Sequence, residues 1–238
     1  MGTLRLGPFV LAPRWAPTLA AVAFIALTTW LGLWQAERAT EKAGLLAQFE
    51  ARMREPAVSL SGAVADAGPL LFRRVRAHGR WIARGQIYID NKIRDGRAGY
   101  YVATPLALTG TKDAVLVNRG WIARAADYPA PPAVPVATGE VEVTGIAALP
   151  PKRYLELSTE TVSGSVWENL SLERYQAHTG IAVLPLVVYA NPPGPGLLAV
   201  DAAPDTGVAT HLQYEITWFL LAATAAALWV GLNLRRVR

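Results

Sequence analysis

Two charge-free apolar runs, one near each end of the chain, constrain the fold more than any other feature. Trp15 to Ala36 gives 22 residues without a charge, and Ile216 to Leu234 gives 19 more. A helix needs roughly 20 apolar residues to cross a hydrocarbon core about 30 Å thick. Both runs meet that length, and nothing between them does. The apolar stretch from Ile181 to Ala190 is too short to span and reads as a buried strand. The first run competes with a cleaved signal peptide, for which Arg5 and Arg14 would supply the basic start. It is longer than a usual signal core, ends without a small-x-small cleavage site, and carries Trp30 and Trp34 near its exit. An uncleaved anchor with interfacial tryptophans fits these features better.

Charge placement sets the expected topology. All 18 acidic residues lie between Glu37 and Glu215, and the same segment holds 18 basic ones. The net charge of +5 therefore resides in Arg5, Arg14, Arg235, Arg236 and Arg238, outside the two runs. The positive-inside rule then puts both termini in the cytoplasm. The expected division is a cytoplasmic start at 1–14, a span at 15–36, an extracytoplasmic domain at 37–215, a span at 216–234 and a cytoplasmic end at 235–238. The basic excess thus reports topology, and no basic patch points to nucleic acid. With no cysteine, disulfides, thiol catalysis and Cys-ligated metals are excluded.

Between the runs the pattern is mostly that of strands. Gln86–Asp90 and Glu140–Thr144 alternate, while Ala114–Ile122 is more continuously apolar and reads as central. Asp95-Gly96 marks a turn. Leu45, Leu46, Phe49 and Met53 extend the first helix past the membrane until Pro56 stops it. Ser171 to Thr179 forms one short helix with Gly180 as its stop. The expected fold is a membrane protein: two transmembrane α-helices flanking a mainly antiparallel β (α+β) extracytoplasmic domain.

Enzyme signatures are scarce. The chain has no phosphate-cradling glycine loop, no H-E-x-x-H, no G-x-S-x-G and only three histidines. At the start of the second run, His211, Tyr214, Glu215 and Trp218 fall at i, i+3, i+4 and i+7, one helical face. An imidazole among aromatic rings suits a haem-iron ligand, and equally suits an interfacial anchor. At the exit of the first run Gln35, Arg38 and Lys42 share a face, beside Trp34, and Gly32 permits close helix approach. In the domain, Gly120 suggests a bulge within Asn118-Arg119-Gly120-Trp121, where Arg119 and Trp121 are spaced to pair as cation and ring. Arg73, Arg74, Arg76, Arg80 and Arg84 read either as a solvated strand face or as a surface for propionates or an acidic partner.

Five segments in order carry a resemblance. They are Gly32-x-Trp34-Gln35-x-x-Arg38-x-x-x-Lys42, then Gly99-Tyr100-Tyr101-Val102-x-Thr104-Pro105, then Val115-Leu116-Val117-Asn118-Arg119-Gly120-Trp121. Trp167-x-Asn169-Leu170 follows, and His211-Leu212-x-Tyr214-x-x-x-Trp218-Phe219 opens the second run. Together with the two-span layout this resembles the surfeit-locus family of cytochrome c oxidase assembly factors, from about Gly32 to Phe219. The resemblance implies an assembly factor, not an enzyme, in the bacterial inner membrane. It implies transient binding of haem a, with His211 on the iron and Trp218, Trp34, Gln35, Arg38 and Tyr214 around it. The implied partners are the catalytic subunit of a haem-copper oxidase, the lipid bilayer and, as a further candidate, haem a synthase. Two positions depart from the family's habit: Glu215 stands where a small residue is common, and Glu41 where an aromatic one is. The alternative reading is a membrane-anchored scaffold that stabilises an oxidase subunit and touches no haem.

Overall fold

The computed structural model describes residues 4–62, 64, 66–150, 162–204 and 206–236. In chain order the elements are β1 (Leu4–Leu6), β2 (Phe9–Leu11), α1 (Trp15–Arg54), β3 (Val58–Leu60), β4 (Arg74–Trp81), β5 (Ile87–Arg94), β6 (Arg97–Leu108) and β7 (Ala114–Ala123). They continue with β8 (Glu140–Ala148), β9 (Val162–Ser163), β10 (Val166–Trp167), α2 (Leu172–Thr179), β11 (Val183–Ala190), α3 (Val208–Asn233) and β12 (Leu234–Arg236). The chain divides into a helical unit, 1–47 with 204–238, and a β unit, 48–203.

In the helical unit α1 and α3 are both long and apolar enough to cross a membrane. Their large apolar side chains face outward: Leu19 is 59% exposed, Leu220 62% and Leu232 80%. A soluble core helix would bury such residues, whereas lipid accommodates them. What α1 turns inward is a narrow seam of alternating three- and four-residue steps, Ala21, Ile25, Thr28, Gly32, Gln35 and Ala39. The matching seam of α3 is His211, Glu215, Trp218, Ala222, Ala225 and Trp229. This is the spacing by which two helices mesh side chains along their length. At Gly32 the approach is close: a Cβ there would lie 2.9 Å from Phe219 Cε1. At the other end Trp229 Nε1 donates to Thr18 Oγ1 at 3.1 Å, so the helices run antiparallel. Beyond them β2 pairs antiparallel with both β1 and β12, joining the chain's two ends in a three-stranded sheet. The strand runs here are only three residues long and carry no strong alternation, so no local pattern marks them.

The β unit is built on a closed five-stranded barrel. Strands pair in the order β4–β8–β11–β7–β6, and β6 returns to β4. Closure brings backbones tightly together: a Cβ on Gly79 would lie 1.9 Å from the Ala107 carbonyl oxygen. The interior is small and branched, centred on Val75, Leu106, Val115, Val117, Leu186 and Val188. β7 is buried on both faces from Ala114 to Gly120, as the apolar run Ala114–Val117 leads one to expect, with Asn118 and Arg119 buried beside it. Pairing is mainly antiparallel as expected, with three parallel exceptions: β11 with β7, β3 with β4 and β10 with β5. Asp95 and Gly96, at φ 48° and 73°, make the tight turn from β5 to β6. α2 starts at the Ser171 cap and stops at left-handed Gly180, as its sequence predicts.

Outward residues of β4 form the arginine run. Arg74, Arg76 and Arg80 alternate with buried Val75, Ala77 and Gly79. They face β8 across the ladder, where His78 Nε2 lies 3.0 Å from Glu142 and Arg80 Nε 3.7 Å from Glu140. Arg74, Arg76 and Arg80 thus make an exposed strand face, while Arg73, just before β4, pairs with Glu55 at 2.6 Å and Arg84 lies in the turn after it.

Candidate functional site

The start of α3 and the end of the charge-free run of α1 come together in the helical unit. His211 Nδ1 lies 2.7 Å from Gln35 Oε1. The amide oxygen of Gln35 can only accept, so Nδ1 carries the hydrogen, and in the neutral ring Nε2 is the nitrogen with the lone pair. Metal-ligating histidines are commonly arranged this way, with the second ring nitrogen donating to an oxygen that fixes the tautomer. Trp218 is partly buried one heptad further along α3, on the same seam as His211. Tyr214 departs from the single face expected for it: it is 51% exposed, while His211, Glu215 and Trp218 are each partly buried. Three residues advance a helix by less than a full turn, so Tyr214 lies to one side of the seam.

On α1, Trp34 is 41% exposed beside the seam. The Arg38 guanidinium carbon sits 5.9 Å from the Trp34 ring centre, and its Nη1 donates to Glu41 Oε2 at 2.7 Å. Glu41, the position where an aromatic residue is common, is thus the partner of Arg38. The sequence puts Gln35 and Arg38 on one face, and the i to i+3 spacing of Arg38 and Glu41 on a helix is the signal for that ion pair. Phe219, which the sequence marks only as part of a motif, is the residue that fills the space left by Gly32.

A second polar centre lies inside the β unit. The register between β6 and β7 shifts at Val102–Ala103, which makes Arg119–Gly120 the expected bulge, with Gly120 at φ 144°. The bulge turns Arg119 away from Trp121. Its guanidinium carbon lies 5.3 Å from the ring centre of Trp81 instead, and Trp121 Nε1 donates to the Lys92 carbonyl at 2.7 Å. The expected Arg119–Trp121 pair is therefore replaced, because an inserted residue breaks the two-residue alternation on which it rested. Arg119 Nη1 donates to Gln86 Oε1 at 3.0 Å and Nη2 to the Pro135 carbonyl at 2.9 Å. Burial holds its pKa below the ordinary arginine value.

The SURF1 family profile matches residues 22–223, from within α1 into the middle of α3. The chain belongs to the SURF1 family. Members of this family are generally cytochrome oxidase assembly factors and are not known as enzymes. A SURF1-like protein of Drosophila melanogaster is 28% identical over 234 residues, covering 89% of this chain and 76% of the relative. Surfeit locus protein 1 of Rattus norvegicus is 27% identical over 228 residues, covering 90% and 74%. A SURF1-like protein of Rickettsia conorii is 25% identical over 211 residues, covering 84% of each. The SURF1 match takes in Gln35, Arg119 and His211 alike.

Proposed function

We propose that this chain is a bacterial inner-membrane assembly factor for a haem-copper cytochrome c oxidase, and that it holds haem a at the paired helix ends on its way to the catalytic subunit. The observation that carries the reading is the His211–Gln35 contact, which presents one oriented imidazole at the edge of an apolar helix pair. Haem, when bound, supplies the redox cofactor of the oxidase, and its iron needs only an axial ligand from protein. His211 would hold the iron. Trp218, Trp34 and Tyr214 offer aromatic surface beside it. Arg38 is available to a propionate only by sharing its guanidinium with Glu41. A ligand with an apolar tail and charged propionates rests naturally where lipid meets water, and His211 lies five residues before the charge-free run, at that depth. Both spans cross the membrane, both termini are cytoplasmic, and residues 37–215 lie outside. The partners are the catalytic subunit of the oxidase, the lipid around the spans and, as a further candidate, haem a synthase.

The scaffold reading has one observation of its own: the His211–Gln35 bond also ties two helices together and would do so with no ligand. The two separate in a deletion strain with a second terminal oxidase. Complementation by the wild-type chain restores haem a in the assembled oxidase. Expression at wild-type level of His211→Asn, whose amide N–H can still donate to Gln35 but which has no imidazole, leaves haem a low if the protein carries the cofactor, and restores it if the protein is a scaffold.

A further inference from the structure

We propose that the cavity beside Arg119 in the β unit binds a carboxylate borne on a small apolar body. The proposal rests on the barrel alone and is independent of the haem reading. Arg119 is 4% exposed, yet its hydrogen-bond partners are two neutral oxygens, of Gln86 and Pro135, with the Trp81 ring against it. Among the described residues no carboxylate pairs with it. A buried full charge is normally matched by an opposite one, because neutral dipoles recover only part of the lost hydration. A guanidinium has five N–H donors, and these bonds use two.

The unmatched cation lines a cavity of about 440 Å³ whose walls include Trp81, Val141, Val143, Ala190, Pro192 and Pro193. Such a volume holds a small organic molecule. Gly194 approaches the guanidinium closely: a Cβ there would lie 3.3 Å from Arg119 Nε, so the glycine keeps that edge clear. Glu142 also lines the cavity, but its carboxylate is taken by His78 at 3.0 Å and is about half exposed. Apolar walls around one buried cation select an amphipathic monocarboxylate over an inorganic anion, which would gain nothing from the walls. The guanidinium itself is held in place: Gln86 Oε1 also accepts from Thr104 at 2.9 Å, and Gln86 Nε2 donates to the Val134 carbonyl at 3.0 Å.

The test uses the full chain in detergent, titrated with phenylbutyrate and with its uncharged amide, phenylbutyramide, and read by tryptophan fluorescence and calorimetry. Phenylbutyrate binds saturably and the amide at least about tenfold more weakly, the loss expected when a charged hydrogen-bond partner becomes neutral. Ala137→Trp, at an exposed position on the rim, fills the cavity and abolishes binding without lowering the melting temperature. Arg119→Lys keeps the preference for the acid in weakened form, and Arg119→Gln removes it where that variant folds. Equal binding of acid and amide, binding unaffected by Ala137→Trp, or no saturable binding of phenylbutyrate overturns the proposal and leaves Arg119 as a pin for the 129–137 loop.

Discussion

His211 Nδ1 and Gln35 Oε1 lie 2.7 Å apart although 176 positions separate them in the chain. Gln35 is the penultimate residue of the first charge-free run, and His211 precedes the second by five residues. One hydrogen bond thus locks the register of two antiparallel helices at the end where the apolar surface gives out. It also chooses a tautomer, since an amide oxygen cannot donate. The same contact can serve structure and ligation, and only the second use depends on the lone pair left at Nε2.

Helix packing next to that contact depends on Gly32. A Cβ at this position meets Phe219 Cε1 at 2.9 Å and Cζ at 3.0 Å, so the ring must shift to admit it. Gly32→Val should destabilise the detergent-solubilised protein by about 1–3 kcal/mol, the usual cost of overpacking. Adding Phe219→Ala to Gly32→Val should recover part of the loss, because the smaller side chain vacates the same space. Thermal melts of the single and double variants check this; equal melting of Gly32→Val and wild type would contradict it.

Alkaline pH should expose a second dependence, in the β unit. Tyr175 is fully buried and donates to the Gly85 carbonyl at 2.8 Å. Burial pushes its pKa from 10.0 up to about 12. A raised folded-state pKa means that the stabilisation is complete below the unfolded value and is lost as pH rises through the folded one. Denaturant midpoints of the full chain should therefore hold steady below about pH 10 and fall between about 10 and 12. Tyr175→Phe should cost about 1–3 kcal/mol at neutral pH, by stranding the Gly85 oxygen, and should flatten that alkaline fall. An unchanged alkaline slope in the variant would assign the fall to other groups.

Topology is open to direct measurement. With five arginines outside the two runs and a neutral segment between them, reporters fused after residue 238 and near Ala133 should sit in opposite compartments. Reporters in the same compartment would exclude the two-span arrangement.

Much of this architecture is legible in the sequence because it rests on local signals. Charge-free length marks α1 and α3, a Ser cap and a left-handed Gly bracket α2, and Asp95-Gly96 sets a turn. What stayed hidden depends on non-local closure. The return of β6 to β4, which turns a sheet into a barrel, is written in no local pattern beyond the small residue at Gly79. The terminal three-stranded sheet pairs β2 with β12 across almost the whole chain. At the helix ends, the sequence brings His211 and Gln35 to one depth but cannot show that they touch. Arg119 marks the converse failure: strict alternation paired it with Trp121, and a single bulge sent it to Trp81.

The central claim is that His211 is an axial ligand to haem a, and the absorbance spectrum of the protein purified in detergent from cells that make haem a tests it most directly. Wild type should carry a Soret band. His211→Ala should lose most of it with its melting temperature reduced only modestly, and Gln35→Leu should shift and weaken it by freeing the tautomer. Arg38→Ala should weaken retention less, since a partly solvated ion pair contributes only about 0–1 kcal/mol. A His211→Ala protein that retains haem a with an unchanged spectrum would make the histidine a helix tie and contradict the account.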